Sequence, residues 1–439
     1  MQSRIELMKI SPASRLKGGI CVPGDKSISH RAVMFGSIAS GETRISNFAA
    51  SADCRSTINC FRRLGILIEQ NGSDVLVRGA GKRGLSEPSE SLDCGNSGTT
   101  MRLMSGILAG QDFPSTLTGD ESLQSRPMKR VIDPLTAMGA EIASSDGCAP
   151  LIISGRPLRG IDFEPPVASA QVKSCVLLAG LYANGETRVT ERVVTRDHTE
   201  LMLRQFGVEI EIEQRADSKV ISIAGDAELH GTNINVPGDI SSAAFFLVAA
   251  GCLPGSDLRL LNVGLNPTRS AVLSALERFG VVLNIVRHDS TGEPSGDIRI
   301  TAMPLPARAE PNILDGPIVA NLIDEIPILA VLGTQLPGGL EVRDAGELRV
   351  KESDRIRSVV DNLRRMDAKV EEFDDGFRVG PSKLKGAVVD SFGDHRIAMA
   401  FAVAGLLADG ETEIVGADCA AVSYPEFFKD LEVIAVRDE

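Results

Sequence analysis

Val22-Pro-Gly-Asp-Lys-Ser-Ile-Ser29 returns later in the chain as Val236-Pro-Gly-Asp-Ile-Ser-Ser-Ala243. Each copy follows a short extended run, and each precedes a stretch of small apolar residues with helical character. Two more distant copies read Leu158-Arg-Gly-Ile-Asp-Phe-Glu-Pro-Pro-Val-Ala-Ser169 and Leu384-Lys-Gly-Ala-Val-Val-Asp-Ser-Phe-Gly-Asp394. The chain is therefore built on an internal repeat, and a repeat decides the architecture before any local feature does.

A glycine turn into a strand marks the same point in each repeat. The clearest turns are Gly41-Glu-Thr-Arg-Ile, Gly185-Glu-Thr-Arg-Val, Gly255-Ser-Asp-Leu-Arg-Leu, Gly338-Gly-Leu-Glu-Val and Gly410-Glu-Thr-Glu-Ile. A sixth, degenerate turn lies near Gln111-Asp112. These turns recur at intervals of roughly 70 to 80 residues, so the length of 439 residues accommodates six units.

Each unit is predicted to run strand, helix, strand, helix, strand, strand, and Glu209–Ala224 is an example of the closing hairpin. The sixth copy stops after Tyr424–Val433, and we expect the N-terminal strand Arg4–Ile10 to complete it. Units of this size need neighbours to bury a core. The predicted fold class is therefore α/β, with two lobes of three βαβαββ repeats, and the stretches near Gly24 and Gly238 as the crossings between lobes.

The composition excludes several classes of protein. Apolar residues make up 43% and charged residues 24%, which is the balance of a globular chain. A net charge of −13 with no Trp and two Tyr argues against a nucleic-acid partner. The longest apolar stretches, Ala243–Leu253 and Ile397–Ala408, are too short to span a bilayer, and Met1–Gly18 has no apolar signal region. Eight Cys without a CxxC pair predict reduced thiols, no metal site and a cytoplasmic location.

The chemistry is expected in the loops between each first strand and its helix, because helix N-termini present unpaired N–H groups that bind anions. Ser, Thr, Asn and Asp in these loops also serve as ordinary N-caps. Four cations, Lys26, Arg31, Arg126 and Arg396, stand at or near helix starts, where they oppose the helix dipole. In so acidic a chain, they indicate a site for polyanionic small molecules.

Two further clusters of charged residues contain carboxylates. Lys351 and Glu352 stand four and three residues before Arg355, which predicts that they lie on one side of a helical turn. A solvated, salt-bridged helix start is the plainer interpretation of that stretch. Asp324 and Glu325 lie inside the apolar run Ile318–Leu332, where carboxylates are usually paired or functional. No nucleophile elbow, phosphate loop, HExxH or GxGxxG motif is present.

Eight motifs in the same order resemble those of the EPSP synthases, a family of enolpyruvyl transferases. They are PGDKSISHR at Pro23–Arg31, GNSGTTMR at Gly95–Arg102, QSRPM at Gln124–Met128, SAQVKS at Ser169–Ser174, RDHTE at Arg196–Glu200, NPTR at Asn266–Arg269, KESDRI at Lys351–Ile356 and GDHRIAMA at Gly393–Ala400. The resemblance implies a two-lobed inside-out α/β barrel of six βαβαββ repeats. It places 1–22 with 239–439 in one lobe, 23–238 in the other, and hinges near 22–24 and 237–239.

The resemblance also implies the site residues. Shikimate 3-phosphate would contact Lys26, Ser27, Arg31, Ser169, Ala170, Gln171, Asp324 and Lys351. Phosphoenolpyruvate would contact Lys26, Gly98, Arg126, Gln171, Arg355 and Arg396. Asp324 is the expected base and Glu352 the expected acid, with Lys26 and Lys351 stabilising charge. No metal or organic cofactor is implied, since the enol phosphate is already activated, and we expect a monomer without nucleic-acid or membrane partners.

Two alternatives stay open at this point. UDP-N-acetylglucosamine enolpyruvyl transferase shares the implied fold but uses a Cys on a mobile loop, and no Cys lies between Gly98 and Arg126. A non-catalytic six-repeat scaffold would keep the helices and lose the charges.

The sequence also departs from some EPSP synthases, with Ser169-Ala-Gln in place of Ser-Ser-Gln and no Lys before Ser423-Tyr-Pro425. Gly98 predicts inhibition by glyphosate, whereas SAQVK and RDHTE resemble the more tolerant members.

Overall fold

The computed structural model describes residues 7–289, 292–303 and 312–437. Its strands are β1 Leu7–Ile10, β2 Arg15–Ile20, β3 Ser40–Ser46, β4 Leu67–Asn71, β5 Asp74–Ala80, β6 Leu92–Asp93, β7 Ser115–Thr118, β8 Glu141–Ser145, β9 Cys148–Ser154, β10 Leu158–Arg159, β11 Asp162–Phe163, β12 Ala183–Asn184, β13 Glu186–Glu191, β14 Ile210–Gln214, β15 Lys219–Ala224, β16 Asn233–Asn235, β17 Asp257–Gly264, β18 Leu283–Arg287, β19 Ser295–Thr301, β20 Asn312–Leu314, β21 Leu340–Val342, β22 Val370–Phe373, β23 Gly376–Val379, β24 Val388–Asp390, β25 Thr412–Val415 and β26 Ala435–Val436.

Helices alternate with these strands. The α-helices are α1 Lys26–Ile38, α2 Ala52–Arg63, α3 Gly98–Ala109, α4 Glu121–Gln124, α5 Lys129–Ala137, α6 Ala170–Gly180, α7 His198–Gln205, α8 Ile240–Cys252, α9 Ala271–Arg278, α10 Pro317–Leu322, α11 Ile326–Gln335, α12 Arg355–Arg365, α13 His395–Leu407 and α14 Phe427–Ile434. Two 3₁₀ helices span Gly346–Val350 and Ala417–Val422.

The chain divides into two compact units. Of the described residues, unit 1 holds 7–23, 237–289, 294–303 and 312–437, and unit 2 holds 24–236 with 292–293. The chain thus passes from unit 1 to unit 2 inside one VPGD stretch and returns inside the other. These boundaries lie one or two residues from those expected from the sequence, and the hinge role of the crossings stays a prediction.

One sheet pattern recurs in both units. In unit 2, the four-stranded sheets β16-β3-β5-β4, β6-β7-β9-β8 and β11-β13-β15-β14 each join their first two strands in parallel and the others antiparallel. In unit 1, β20-β21-β23-β22 repeats this order, and β2-β17-β19-β18 repeats it with β26 added beside β2. The predicted six-repeat α/β architecture is confirmed.

The sixth sheet is completed by the start of the chain. β24 runs parallel to β25, and β1 pairs antiparallel with β25, so that Leu7 lies opposite Val415. This confirms that the N-terminal strand finishes the shortened repeat; Arg4 to Glu6 of the predicted strand lie outside the described residues. The strand before each crossing pairs with the strand that follows the other crossing. β2, before the first crossing, pairs with β17, which follows the second, and β16, before the second, pairs with β3, which follows the first.

Each unit has its own apolar core around helices that are buried on all sides. These helices are α8, α11 and α13 in unit 1 and α1, α3 and α6 in unit 2. Small residues let them approach closely: a Cβ on Gly106 of α3 would lie 2.2 Å from the Cys175 carbonyl oxygen of α6. The charged side chains of these helices, such as Arg31, Arg102 and Lys173, lie in the first two turns, so that polar chemistry is concentrated near the helix starts. None of the described helices is long and apolar enough to cross a membrane.

Candidate active site

Unit 2 presents Lys26 and Ser27 in the first turn of α1. The Asp25 carboxylate caps this helix by accepting from the Ile28 N–H at 2.9 Å. Lys26 Nζ lies 2.9 Å from Asp53 Oδ2, and about a quarter of the Lys26 side chain is exposed. A cation at this end of a helix is unfavourable alone, so the Asp53 carboxylate offsets the cost and fixes the ammonium in place.

Arg31 lies one turn further along α1 and is buried. Its Nε donates to Thr199 Oγ1 at 2.8 Å, its Nη2 to Ser174 Oγ at 2.8 Å, and its Nη1 to the Ser27 carbonyl oxygen at 2.9 Å. Burial lowers the pKa of Arg31 to about 10, against the opposing effect of nearby carboxylates such as Glu200. The guanidinium therefore stays charged at neutral pH, in a fixed orientation.

The starts of α3 and α6 are linked by Gln171. Gln171 Nε2 donates to Thr99 Oγ1 at 2.9 Å, and its Oε1 accepts from Arg102 Nη1 at 2.7 Å. Ser169 caps α6 through a hydrogen bond from the Val172 N–H at 3.4 Å, and Ala170 is the first residue of that helix. Gly98 is the first residue of α3. The structure thus brings Gly98 close to the predicted Ser169–Gln171 stretch.

Arg126 lies in the turn between α4 and α5. Its Nη2 donates to Asn96 Oδ1 at 2.7 Å, while Asn96 Nδ2 donates to Asp120 Oδ2 at 2.8 Å. Asp120 thereby fixes which end of the Asn96 amide faces the arginine. The sequence reasoning gave no role to Asn96, Arg102 or Asp53, although the first two stand inside a motif that it singled out.

In unit 1, one carboxylate faces two arginines. Asp324 Oδ1 lies 3.5 Å from Arg355 Nη1 and 3.8 Å from Arg396 Nε. Arg396 Nη1 also donates to the Asp324 carbonyl oxygen at 3.1 Å. Asp324 precedes α11 and Arg396 belongs to the first turn of α13, so that two helix starts meet at this cluster. Carboxylates in an apolar run are paired here, as the sequence predicted.

Arg355 is held by two further carboxylates. Its Nε lies 2.8 Å from Asp394 Oδ2, and its Nη2 lies 2.6 Å from Glu352 Oε2. Burial would lower the pKa of Arg355, but the charges of Asp394, Glu352 and Asp324 outweigh it and raise the pKa above its usual value. Asp394, fully buried, was missed by the sequence reasoning because its role as the α13 N-cap hides this second contact.

The predicted helical placement of Lys351 and Glu352 is wrong. The 3₁₀ helix ends at Val350, Lys351 is extended, and α12 begins only at Arg355, because the Asp354 carboxylate accepts from the Arg357 N–H and starts the helix there. Lys351 Nζ instead lies 2.8 Å from Glu347 Oε1. Glu352 still reaches Arg355, from an irregular segment.

The predicted residues divide between the units. Unit 2 holds Lys26, Ser27, Arg31, Gly98, Arg126, Ser169, Ala170 and Gln171, and unit 1 holds Asp324, Lys351, Glu352, Arg355 and Arg396. Within the described ranges, no group of three or more His, Cys, Asp or Glu side chains is arranged to hold a metal ion.

His30 is a buried residue of the second turn of α1, and its imidazole contacts hydroxyl groups of the neighbouring helices. Its Nδ1 is 2.7 Å from Thr57 Oγ1, which in turn is 2.7 Å from Thr100 Oγ1 of α3. In the part of the chain that the structure describes, His30 Nε2 has no hydrogen-bond partner. Burial lowers the pKa of His30 to about 3, so the folded protein keeps this imidazole neutral.

His30→Gln is expected to make unit 2 less sensitive to acid. Below the unfolded pKa of 6.5, unfolding lets His30 take up a proton that the folded state rejects, so stability falls as the pH drops from 6.5 towards 3. Glutamine can still bond Thr57 and does not titrate. Between pH 7 and 4.5, denaturant unfolding should show the wild type losing about 2 to 3 kcal/mol more than the variant. Equal losses would show that the buried imidazole is not the acid-sensitive group.

The chain is similar to proteins of known name over nearly its whole length. The profile of the EPSP synthase family, described as 3-phosphoshikimate 1-carboxyvinyltransferase, matches residues 10–431. A 3-phosphoshikimate 1-carboxyvinyltransferase of Bacillus cytotoxicus is 52% identical over 421 residues, covering 95% of this chain and 97% of that one. The enzyme of the same name from Solibacter usitatus is 52% identical over 430 residues, covering 97% and 99%. The structure of an EPSP synthase from Acinetobacter baumannii superposes with a TM-score of 0.87 at 42% identity, covering 98% of both chains.

Proposed function

Because the chain belongs to the EPSP synthase family, we propose that it transfers the enolpyruvyl group of phosphoenolpyruvate to the 5-hydroxyl of shikimate 3-phosphate, with release of phosphate. The observation that carries this proposal is the Asp324 carboxylate within 4 Å of the guanidinium groups of Arg355 and Arg396. A base beside two anion-binding cations suits the addition of a hydroxyl to an enol phosphate. The curated relatives bear this enzyme's name, which favours it over UDP-N-acetylglucosamine enolpyruvyl transferase and over a non-catalytic scaffold.

The reaction needs many cations because both substrates carry phosphate and carboxylate groups. We assign shikimate 3-phosphate to Lys26, Ser27, Arg31, Ser169, Ala170, Gln171, Asp324 and Lys351, and phosphoenolpyruvate to Lys26, Gly98, Arg126, Gln171, Arg355 and Arg396. Most of these cations are held by carboxylates or amides, which supports the assignment, since preset donors stabilise developing charge without reorganising.

The proton transfers are assigned to two carboxylates. Asp324 takes the proton of the attacking hydroxyl as the C–O bond to C2 forms, and Glu352 gives a proton to C3, which yields a tetrahedral ketal. Asp324 passes the hydroxyl proton to the departing phosphate and takes a proton from the methyl group as the C–O bond to phosphate breaks. Exchange with water then removes that proton from Asp324 and restores the one that Glu352 gave. Glu352 is 30% exposed, and its contact with Arg355 Nη2 at 2.6 Å fixes its position beside a residue assigned to phosphoenolpyruvate. Lys26 and Lys351 would stabilise the charge on the ketal.

A coupled assay of phosphate release tests the proposed function. Phosphate should appear only when shikimate 3-phosphate and phosphoenolpyruvate are both present, with one equivalent of enolpyruvyl product. UDP-N-acetylglucosamine in place of shikimate 3-phosphate serves as the control acceptor. No release with the first pair, or faster release with the second, would reject the proposal. We further propose that the enzyme is a monomer in the cytoplasm. Sedimentation at equilibrium would check its oligomeric state.

Gly98→Ala is expected to weaken inhibition by glyphosate, a competitor of phosphoenolpyruvate, more than it weakens the substrate. A Cβ on Gly98 would lie 2.8 Å from Arg102 Nη1 and 3.7 Å from Arg126 Nη1, so the methyl enters the space that these arginines share. Glyphosate is slightly longer than phosphoenolpyruvate, and overpacking of about 1 to 3 kcal/mol corresponds to an inhibition constant raised about 5-fold to 150-fold. The KM for phosphoenolpyruvate should rise much less.

An indirect effect is separable from this steric one. The displaced Arg102 guanidinium also bonds Gln171 at 2.7 Å, so a methyl could act through that pair. Arg102→Lys, whose shorter side chain weakens the contact with Gln171 without adding a methyl at Gly98, is the matched control. Equal losses for inhibitor and substrate in Gly98→Ala, or the same selective loss in Arg102→Lys, would show that Gly98 does not discriminate by size.

A further inference from the structure

Glu325 is a buried carboxylate with an anchor of its own. It stands between Asp324 and α11, and its side chain is 1% exposed. Glu325 Oε1 lies 3.1 Å from Arg269 Nη1 and accepts a hydrogen bond from Ser241 Oγ, which itself accepts from Arg269 Nη2. Arg269 is 5% exposed and ends the NPTR motif. A closed triangle of contacts therefore fixes the position of this carboxylate.

The same oxygen faces a second guanidinium. Arg396 Nη1 lies 3.9 Å from Glu325 Oε1, and it donates to the Asp324 carbonyl oxygen at 3.1 Å. Two cations close together repel each other, and a carboxylate near both offsets that repulsion. Arg396 is thus held through Nη1 and Nε, and among the described residues its Nη2 has no protein partner.

We propose that Glu325 is a positioning residue, whose carboxylate, anchored by Arg269 and Ser241, holds Arg396 in the orientation that binds the anionic donor substrate. The inference rests on the proposed function, which assigns Arg396 to phosphoenolpyruvate. It gives the NPTR motif a role that the sequence alone did not assign. In this proposal Arg269 does not contact the substrate: it holds Glu325, and Glu325 in turn holds Arg396.

Glu325→Gln tests the charge while keeping the size of the side chain. The amide can still accept from Ser241, but the two guanidinium groups of Arg269 and Arg396 lose the anion between them and move apart. We expect the KM for phosphoenolpyruvate to rise about tenfold, since small displacements of a binding group have effects of this size or larger. The Kd for shikimate 3-phosphate alone, measured by titration calorimetry, should stay within about twofold, because Asp324 keeps its Arg355 partner.

Arg269→Lys provides the second variant. Lysine keeps the charge but cannot reach Glu325 and Ser241 together in the way that the planar guanidinium does. It should raise the same KM in the same direction, and the double variant should be no worse than Glu325→Gln alone, because the two residues act as one unit. Glu341→Gln is the matched control: Glu341 is also a buried unit 1 carboxylate, 2.7 Å from Arg343 Nε and 2.7 Å from Arg378 Nε, but it does not contact Arg396.

The outcomes separate the two proposals. If the wild type releases no phosphate, the proposed function fails. If the wild type is active and the folded variants lose affinity for phosphoenolpyruvate selectively, with Glu341→Gln unchanged, the positioning role stands. An unchanged KM for phosphoenolpyruvate, or an equal rise in the Kd for shikimate 3-phosphate, overturns it. Should Glu325→Gln fail to fold, Arg269→Lys decides by the same two measurements.

Discussion

Asp324→Ala is expected to lower kcat at least about a hundredfold while the KM for phosphoenolpyruvate changes little, because a missing base affects the transition state more than substrate binding. The structure sharpens this expectation. Asp324 is an anion within 4 Å of Arg355 and Arg396, so its removal takes away one anion that competes with the substrate for both cations. Steady-state phosphate release, with each substrate varied in turn, measures both constants.

Asp361→Ala is the control for the loss of a carboxylate. Asp361 also lies within 4 Å of two arginines of unit 1, Arg357 at 3.6 Å and Arg364 at 3.8 Å, but on the solvated side of α12. Its loss should leave kcat unchanged. Wild-type turnover in Asp324→Ala would move the base elsewhere and make Glu352 the candidate.

Lys26→Met is expected to damage both binding and rate, lowering kcat/KM on the order of a hundredfold to a thousandfold. Lys26 is assigned to both substrates and to charge stabilisation, so its contribution begins in the ground state and grows in the transition state. Methionine keeps the length of the side chain and leaves the Asp53 carboxylate, 2.9 Å away in the native protein, as an added repulsion for anions. The KM values should therefore rise as kcat falls.

Lys129→Met provides the comparison for Lys26→Met. Lys129 is likewise the first residue of a unit 2 helix, α5, but it is exposed and outside the assigned set. Its substitution should change kcat/KM less than about twofold, as for other exposed positions. A fall in kcat for Lys26→Met with both KM values unchanged would show that Lys26 does not bind substrate in the ground state.

The six-repeat architecture was predictable because each repeat carries its own turn and helix-cap residues. The glycine turns and the Asp or Ser caps of α1, α6 and α8 are local signals, and the structure uses them where the sequence places them. The pairing of β1 with β25 followed from counting repeats. Strand exchange at the crossings did not follow, since two equivalent VPGD stretches do not say which partner each preceding strand takes.

The site was predictable by residue type and less so by geometry. Spacing suggested a helix through Lys351, but the competing cap at Asp354 starts α12 later. Contacts such as Asn96 with Arg126, or Asp394 with Arg355, join residues far apart in the chain, and no periodicity within one segment encodes them. Such pairs depend on which helix starts converge, and that is a property of the packed repeats.

The pairing of the first strand with one of the last has a consequence for synthesis. Leu7 leaves the ribosome long before Val415, its partner in the sheet, has been made. At roughly 5 to 20 residues per second, translation imposes a delay of roughly 20 to 80 seconds. Unit 2 is nearly continuous at 24–236, so its three four-stranded sheets can form within that time.

Until their partner strands have been made, β1 and β2 expose strand edges, the part of a chain most prone to aggregate. Lys9 on β1, with Arg15 and Lys17 on β2, places cations along these edges, and such charges oppose intermolecular pairing. The segments of unit 2 are therefore complete before those of unit 1, and β1 must stay soluble until β25 has been synthesised.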